Sequence, residues 1–171
     1  YKVNGKGPGE IFGGKLASVL EELKAQTGAL YYVPLLRKHG VLNDESVKHL
    51  YVHALAWSFG HIAQGMFTAS GNPKAYSQLA AVHIGTLMEE GALTWEVATD
   101  PKTHRPVGRF AAHFDRFAPA MDRLMQKVGR AKATGDVAAA KALVDPFVTG
   151  DKKHLVHADE IAERLAPFPK A

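Results

Sequence analysis

Apolar residues recur at every third or fourth position along most of the chain, which is the period of an α-helix with one buried face. The first such stretch predicts a helix that begins near Lys15, contains Pro34 near its end and stops before Gly40. The Gly-rich segment ahead of it, residues 1–14, is expected to be an irregular arm or a short hairpin. The apolar stripe of this helix consists of Leu16, Val19, Leu20, Leu23, Leu30 and Tyr31.

Two further helices are predicted in the middle of the chain. The second begins after a capping residue, Asn43 or Asp44, and its apolar side continues to about Ser70. The third begins at Asn72 and Pro73, because asparagine is a preferred N-cap and proline is favoured at the first helical position.

The second half of the chain predicts one small β-hairpin or an ordered loop, followed by three helices. The hairpin would consist of residues 93–97, the turn-rich segment 100–106 and a short run that leads to Phe110. Pro119 is expected to kink the first of the three helices, and Pro146 is expected to end the second. These helices are predicted at about residues 111–133, from the opening at 135–136 to 144, and at about 156–165.

Together these elements predict a single all-α domain over residues 1–171, with roughly six helices and at most one small β-hairpin. The closing residues, 167–171, include two prolines and are not expected to be helical. The composition is that of a globular protein, with 46% hydrophobic and 22% charged residues. The chain has no cysteine, which excludes a disulfide framework, a thiol nucleophile and a thiolate zinc site.

Charge and hydropathy limit the expected partners. The net charge of +4 comes from basic residues that are scattered among acids, so neither a nucleic acid nor a membrane is expected as a partner. No apolar run reaches transmembrane length, and no signal peptide is evident. The expectation is a soluble protein of the cytoplasm or the periplasm, and the sequence does not decide between the two compartments.

Two histidines of the second predicted helix, His49 and His53, are candidates for a metal pair. They are four residues apart, so they share a face and could reach one zinc ion. A metallopeptidase helix of the HExxH type would place glutamate after the first histidine, and here that position is Leu50. Two ordinary surface or interface histidines are the alternative. The other helical histidines, His61 and His83 among them, are expected to be satisfied within the fold.

An acidic pair, Glu21 and Glu22, lies within the otherwise apolar first helix. Glu22 and Gln26 are one turn apart and share a face. A carboxylate that faced inward would require a cation, hydrogen-bond donors or a metal. A solvated acidic pair that interacts with Lys24 is the alternative. The glycines of residues 5–14 match neither a P-loop nor a dinucleotide-binding fingerprint, and no nucleophile elbow is present.

The segment around this pair, residues 20–31, resembles the second signature of dipeptidyl peptidase III and its bacterial relatives. That signature reads Glu-Glu-x-Arg/Lys-Ala-Glu/Asp, and here the residues are Glu-Glu-Leu-Lys-Ala-Gln. The resemblance continues in the same order along most of the chain, through residues 36–42, 78–95, 132–144 and 166–170.

The resemblance implies roles for four residues. In the family, zinc is bound by two histidines of an HExxGH or HExxxH motif and by the second glutamate of the Glu-Glu pair, which corresponds to Glu22. Glu21 corresponds to the first glutamate. Gln26 replaces an acid that orients a zinc-binding histidine, and it can accept a hydrogen bond but adds no charge. Tyr76 occupies the position of a histidine that assists peptide binding, so it is a possible contact for the substrate or the transition state.

This chain contains no HExxGH motif, and the resemblance implies that such a motif precedes Tyr1. The chain is then expected to be the C-terminal portion of a larger zinc peptidase, inactive alone, with zinc only in the intact parent. Its partners would be the N-terminal part of the same protein and a peptide substrate. Two alternatives are a degenerate homologue that has lost its metal and an unrelated helical interaction module. The first hypothesis also predicts exposed apolar surface around Glu22, which could otherwise support a homo-oligomer.

Overall fold

The computed structural model describes residues 1–168, and this part of the chain is mainly helical with one small β-hairpin. The predicted fold class is therefore confirmed. Two short 3₁₀ turns, Phe114–Arg116 and Lys153–Val156, precede the sixth and eighth helices. The α-helices are α1 Pro8–Phe12, α2 Gly14–Tyr31, α3 Val33–Lys38, α4 Asp44–Ile62, α5 Ala75–Glu89, α6 Phe117–Thr134, α7 Val137–Val148 and α8 Ala158–Leu165, and the strands are β1 Leu93–Thr99 and β2 Pro106–Ala112.

The first predicted helix is divided in two by Pro34. The break lies at Tyr32, and Pro34 becomes the second residue of α3. At this position a backbone N–H would have no acceptor within the helix, so proline costs no hydrogen bond. The segment ahead of α2 is less irregular than predicted. It contains a single bridge between Val3 and Lys6, followed by α1 with Pro8 at its first position.

The predicted boundary between the second and third helices was wrong. The Asn43 side chain caps α4 as expected and accepts from the Ser46 N–H at 2.8 Å. However, α4 ends at Ile62 rather than near Ser70, and Gly65 adopts a left-handed conformation with φ of 79°. Asn72 is not a cap, because its own backbone N–H donates to Thr68 Oγ1 within a turn, and α5 begins only at Ala75.

The predicted hairpin is confirmed, with Trp95 opposite Phe110 in an antiparallel register. Strand β2 extends to Ala112, so α6 begins six residues later than the predicted start at 111. Pro119 is therefore in the first turn of α6, where a backbone N–H would have no helical acceptor and proline breaks no hydrogen bond. The kink that we predicted at Pro119 therefore has no structural cause. Pro146 does not end α7, which continues for two more residues to Val148. Within the closing segment 167–171, residues 169–171 lie outside the described part of the chain.

Helix α5 forms the centre of the core. Every residue from 77 to 87 is buried, and the helix packs against α2, α4, α6 and α7. The approach of α7 is close, because a Cβ atom added at Gly85 would lie 2.1 Å from the Phe147 ring. A side-chain hydrogen bond within this core joins Thr27 Oγ1 of α2 to His83 Nε2 of α5, at 2.9 Å. Burial lowers the pKa of His83 to about 4.

The hairpin is attached to the helices through aromatic contacts. The Trp95 ring stacks on His157, at the start of α8, with ring centroids 3.7 Å apart. The Gly108 N–H donates to the carboxylate of Glu160, also on α8, at 3.0 Å. Among the described residues, no helix is long and apolar enough to cross a membrane.

Candidate functional site

Helix α2 places Glu22 and Gln26 on one side and anchors them through apolar neighbours. Leu20 and Leu23 are almost completely buried, whereas Glu22 and Gln26 are half-buried. The backbone under the acidic pair is therefore fixed by core packing, while the Glu22 carboxylate remains within reach of solvent. Glu22 is not a fully solvated surface residue, and it is not buried in the core.

Tyr76 lies at the start of α5 and meets Glu22 across the contact between α2 and α5. Interaction with the nearby Glu22 carboxylate, whose negative charge disfavours the ionised phenol, raises the pKa of Tyr76. Two residues that the resemblance singled out on separate helices thus lie close enough to interact. Tyr76 is 43% exposed, so its hydroxyl is accessible from outside the protein.

Two aromatic residues of α4, Trp57 and His61, complete a cluster with Tyr76. The Tyr76 ring centroid lies 5.9 Å from that of Trp57, edge to face, and 5.4 Å from that of His61. The Ser77 hydroxyl donates to the His61 carbonyl at 2.8 Å and joins α5 to α4 beside the cluster. Burial lowers the pKa of His61, which favours its neutral form. The cluster holds the Tyr76 ring beside Glu22.

Sequence reasoning did not identify Trp57 and His61 as part of this site. Their separation of four residues was the available signal, because it predicts a common face on α4. His49 and His53 precede them at the same spacing, so the four side chains form one row along the helix. What the sequence did not provide was the position of Tyr76 relative to this row, which depends on how α4 packs against α5.

Glu21 points to a different partner from Glu22. Its carboxylate lies 2.5 Å from the ammonium of Lys132 on α6, whose side chain is only 5% exposed. The ammonium also lies 5.5 Å from the centroid of the Tyr1 ring. The ion pair therefore joins α2 to α6 next to the first residue of the chain. The alternative of a solvated acidic pair that interacts with Lys24 therefore does not hold for Glu21, which pairs with the buried Lys132 instead.

The described residues alone do not form a zinc site. No group of three histidine, cysteine, aspartate or glutamate side chains that could hold a metal occurs within residues 1–168. His49 and His53 are both exposed, and the nearest acid to His49 is Glu45, with 3.9 Å between Nε2 and Oε1. A catalytic zinc ion requires three protein ligands, and around Glu22 this chain offers one carboxylate.

Comparison with known proteins relates the fold to one peptidase class. No family model and no curated protein matches the chain. Among solved structures, the chain is similar to DPP III from Caldithrix abyssi, with a TM-score of 0.71 and 26% identity over 95% of this chain and 28% of that chain. It is also similar to dipeptidyl-peptidase III from Corallococcus sp. strain EGB, with a TM-score of 0.65 and 22% identity over 90% of this chain and 25% of that chain.

These matches confirm the resemblance to dipeptidyl peptidase III that the sequence indicated. The fold of this chain is a dipeptidyl peptidase III-like fold, and the chain spans about a quarter of the length of the structures that it matches. That proportion is consistent with a C-terminal part of such a protein.

Proposed function

We propose that this chain is the C-terminal helical part of a zinc-dependent peptidase of the dipeptidyl peptidase III type, in which Glu22 supplies one zinc ligand. The proximity of Glu22 and Tyr76 is the observation that carries the proposal. The sequence resemblance assigned these two residues to one active site, and the packing of α2 against α5 brings them together. The similarity to two solved dipeptidyl peptidase III structures supports the same conclusion.

The remaining zinc ligands would come from a segment outside these 171 residues. Two histidines are needed to complete a three-ligand site with Glu22. The Tyr1 ring lies over the ammonium of Lys132, which pairs with Glu21.

Within the intact site, each residue of this chain has a distinct role. Zinc, when bound, would polarise the scissile carbonyl and lower the pKa of its bound water. Glu22 would hold the ion, and Gln26, one turn later, would accept a hydrogen bond from a zinc-binding histidine. Tyr76 would present its hydroxyl to the peptide, with Trp57 and His61 fixing the orientation of its ring. This chain alone would be inactive and would supply one side of the substrate cleft.

The test is the zinc content of the longer protein that contains this sequence. We expect about one zinc per chain for the unaltered protein, together with release of dipeptides from peptide substrates. Glu22→Gln should lower the zinc content at least tenfold under dialysis, because it removes a charged ligand. Glu163→Gln is the matched control, since Glu163 is exposed on α8, and its zinc content should not change. Full zinc occupancy in Glu22→Gln would refute the assignment.

A degenerate homologue without metal is the second candidate. Gln26 and Tyr76 favour it, because each departs from the residue that the family has at its position. The two candidates differ in one result: a longer protein that contains no zinc and yet binds peptides would establish a binding domain and reject the peptidase.

A further inference from the structure

Helix α4 lacks charged residues over most of its length. Residues 49–73, which include α4 from its second turn to its end, contain no aspartate, glutamate, lysine or arginine, although 22% of the chain is charged. A helix on the surface of a soluble protein normally carries charges on its outer side. Helix α6 shows this ordinary pattern, because its exposed positions include Arg123, Lys127 and Arg130.

The outer side of α4 is nevertheless exposed in this chain. The side of α4 that faces away from Tyr51, Ser58 and Ile62 is called here the outer face, and it consists of His49, Val52, His53, Ala56 and Gly60. Val52 is 47% exposed, and a Cβ atom added at Gly60 would meet no atom within 4 Å. The outer face is thus uncharged, poor in bulky side chains and open.

We propose that the outer face of α4 is a docking surface for the remainder of a longer polypeptide, which would contact it through an uncharged and largely apolar helix. Burial of an uncharged helix face removes apolar surface from water without leaving any charge unpaired. Ala56 and Gly60 lie four residues apart and leave room for a second helix backbone at close range. The imidazole rings of His49 and His53 could supply polar contacts at one end of the face.

Two observations favour part of the same polypeptide as the occupant. The structures that this chain matches are much longer, since the match covers only 28% and 25% of their lengths. The outer face is also continuous with the candidate site, because His53 lies one turn before Trp57, whose ring contacts Tyr76. The inference rests on the proposed function in one respect, namely that a longer polypeptide surrounds this chain.

Hydrogen–deuterium exchange in the longer protein and in the isolated 171-residue chain tests the proposal. Amides of α4 on the outer face should be protected at least tenfold more in the longer protein. Ala56→Glu should abolish this difference, because it would bury an unpaired carboxylate at the contact. The control is Ala142→Glu, at an exposed position of α7 between the charged residues Lys141 and Asp145, and it should retain the difference.

Three results would overturn the docking proposal. The first is equal protection of α4 in both proteins. The second is retention of the difference in Ala56→Glu. The third is a concentration-dependent dimer of the isolated chain, detected by light scattering and abolished by Ala56→Glu, which would make a second copy the occupant.

Zinc analysis of the same samples separates the two proposals. A protected α4 in a longer protein that is free of zinc would retain the docking surface and reject the peptidase. An unprotected α4 in a zinc-loaded protein would retain the peptidase and reject the docking surface.

Discussion

Acidification should destabilise this protein through His83, which lies in the middle of the core. His83 is 4% exposed, and its Nε2 atom is 2.9 Å from the hydroxyl of Thr27. Burial lowers the pKa of His83 to about 4, whereas the pKa of histidine in an unfolded chain is about 6.5. Between these two values the unfolded state binds more protons than the folded state, so the free energy of unfolding falls as the pH falls.

The size of the effect follows from the two pKa values. At pH 7 histidine is mostly neutral in both states, and the contribution of His83 to the pH dependence is close to zero. At pH 5 about 97% of the unfolded chains would carry the proton, against about 10% of the folded chains. The resulting loss of unfolding free energy between pH 7 and pH 5 is about 2 kcal/mol.

Urea denaturation at pH 7 and at pH 5 measures this loss, and His83→Gln isolates it. Glutamine can still hydrogen-bond to Thr27 but does not titrate, so the variant should lose about 2 kcal/mol less than the unaltered protein over the same interval. The lowered pKa values of His61 and His157 act in the same direction in both proteins and cancel in this difference. An NMR titration in which folded His83 titrates near pH 6.5 would refute the reasoning, as would an identical pH dependence in the variant.

Three substitutions test the packing and the local structure. Gly85→Ala should lower the unfolding free energy by about 1–3 kcal/mol, because the new methyl group would overlap the buried ring of Phe147; a normal urea midpoint would contradict the close packing of α5 on α7. Gly108→Ala should displace Trp95, because the ring of Trp95 lies 1.7 Å from the position of the added Cβ atom. The displacement should red-shift the fluorescence of Trp95, measured in a Trp57→Phe background so that Trp95 is the tryptophan observed. An unchanged spectrum would argue against this contact. Asn43→Ala should cost about 1 kcal/mol by removing the cap of α4, and equal stability in urea would show that the cap does not contribute.

The helical period was sufficient to predict the fold class, because it depends only on which residues are apolar. The boundaries of the helices were harder, since proline has opposite meanings inside a helix and in its first turn. Pro119 and Pro34 both proved to be first-turn residues, and nothing local distinguishes that position from a kink. Asn72 and Pro73 had the chemistry of a helix start, but competing side-chain bonds from Thr68 and Ser70 form a turn there instead.

Only those residues of the candidate site that belong to a local sequence motif or to the family resemblance could be predicted. The spacing of Glu22 and Gln26 follows from one helix, and the positions of Glu22 and Tyr76 came from the family resemblance. The contacts of Tyr76 with Trp57 and His61 depend on how α4 and α5 cross, which no local pattern encodes. The hydrogen bond between Thr27 and His83 could not be predicted from the sequence either, because its two partners are on helices far apart along the chain.

The central position of α5 has a consequence for the order in which the protein can fold during synthesis. Residues 77–87 are buried by α2 and α4 on one side and by α7 and the turn at 153–156 on another. A ribosome releases α5 well before α7, so the surface that later covers Gly85 does not yet exist when α5 emerges. The growing chain must therefore carry an apolar helix without its cover until the last third has been made, and this interval is where a chaperone would be most useful.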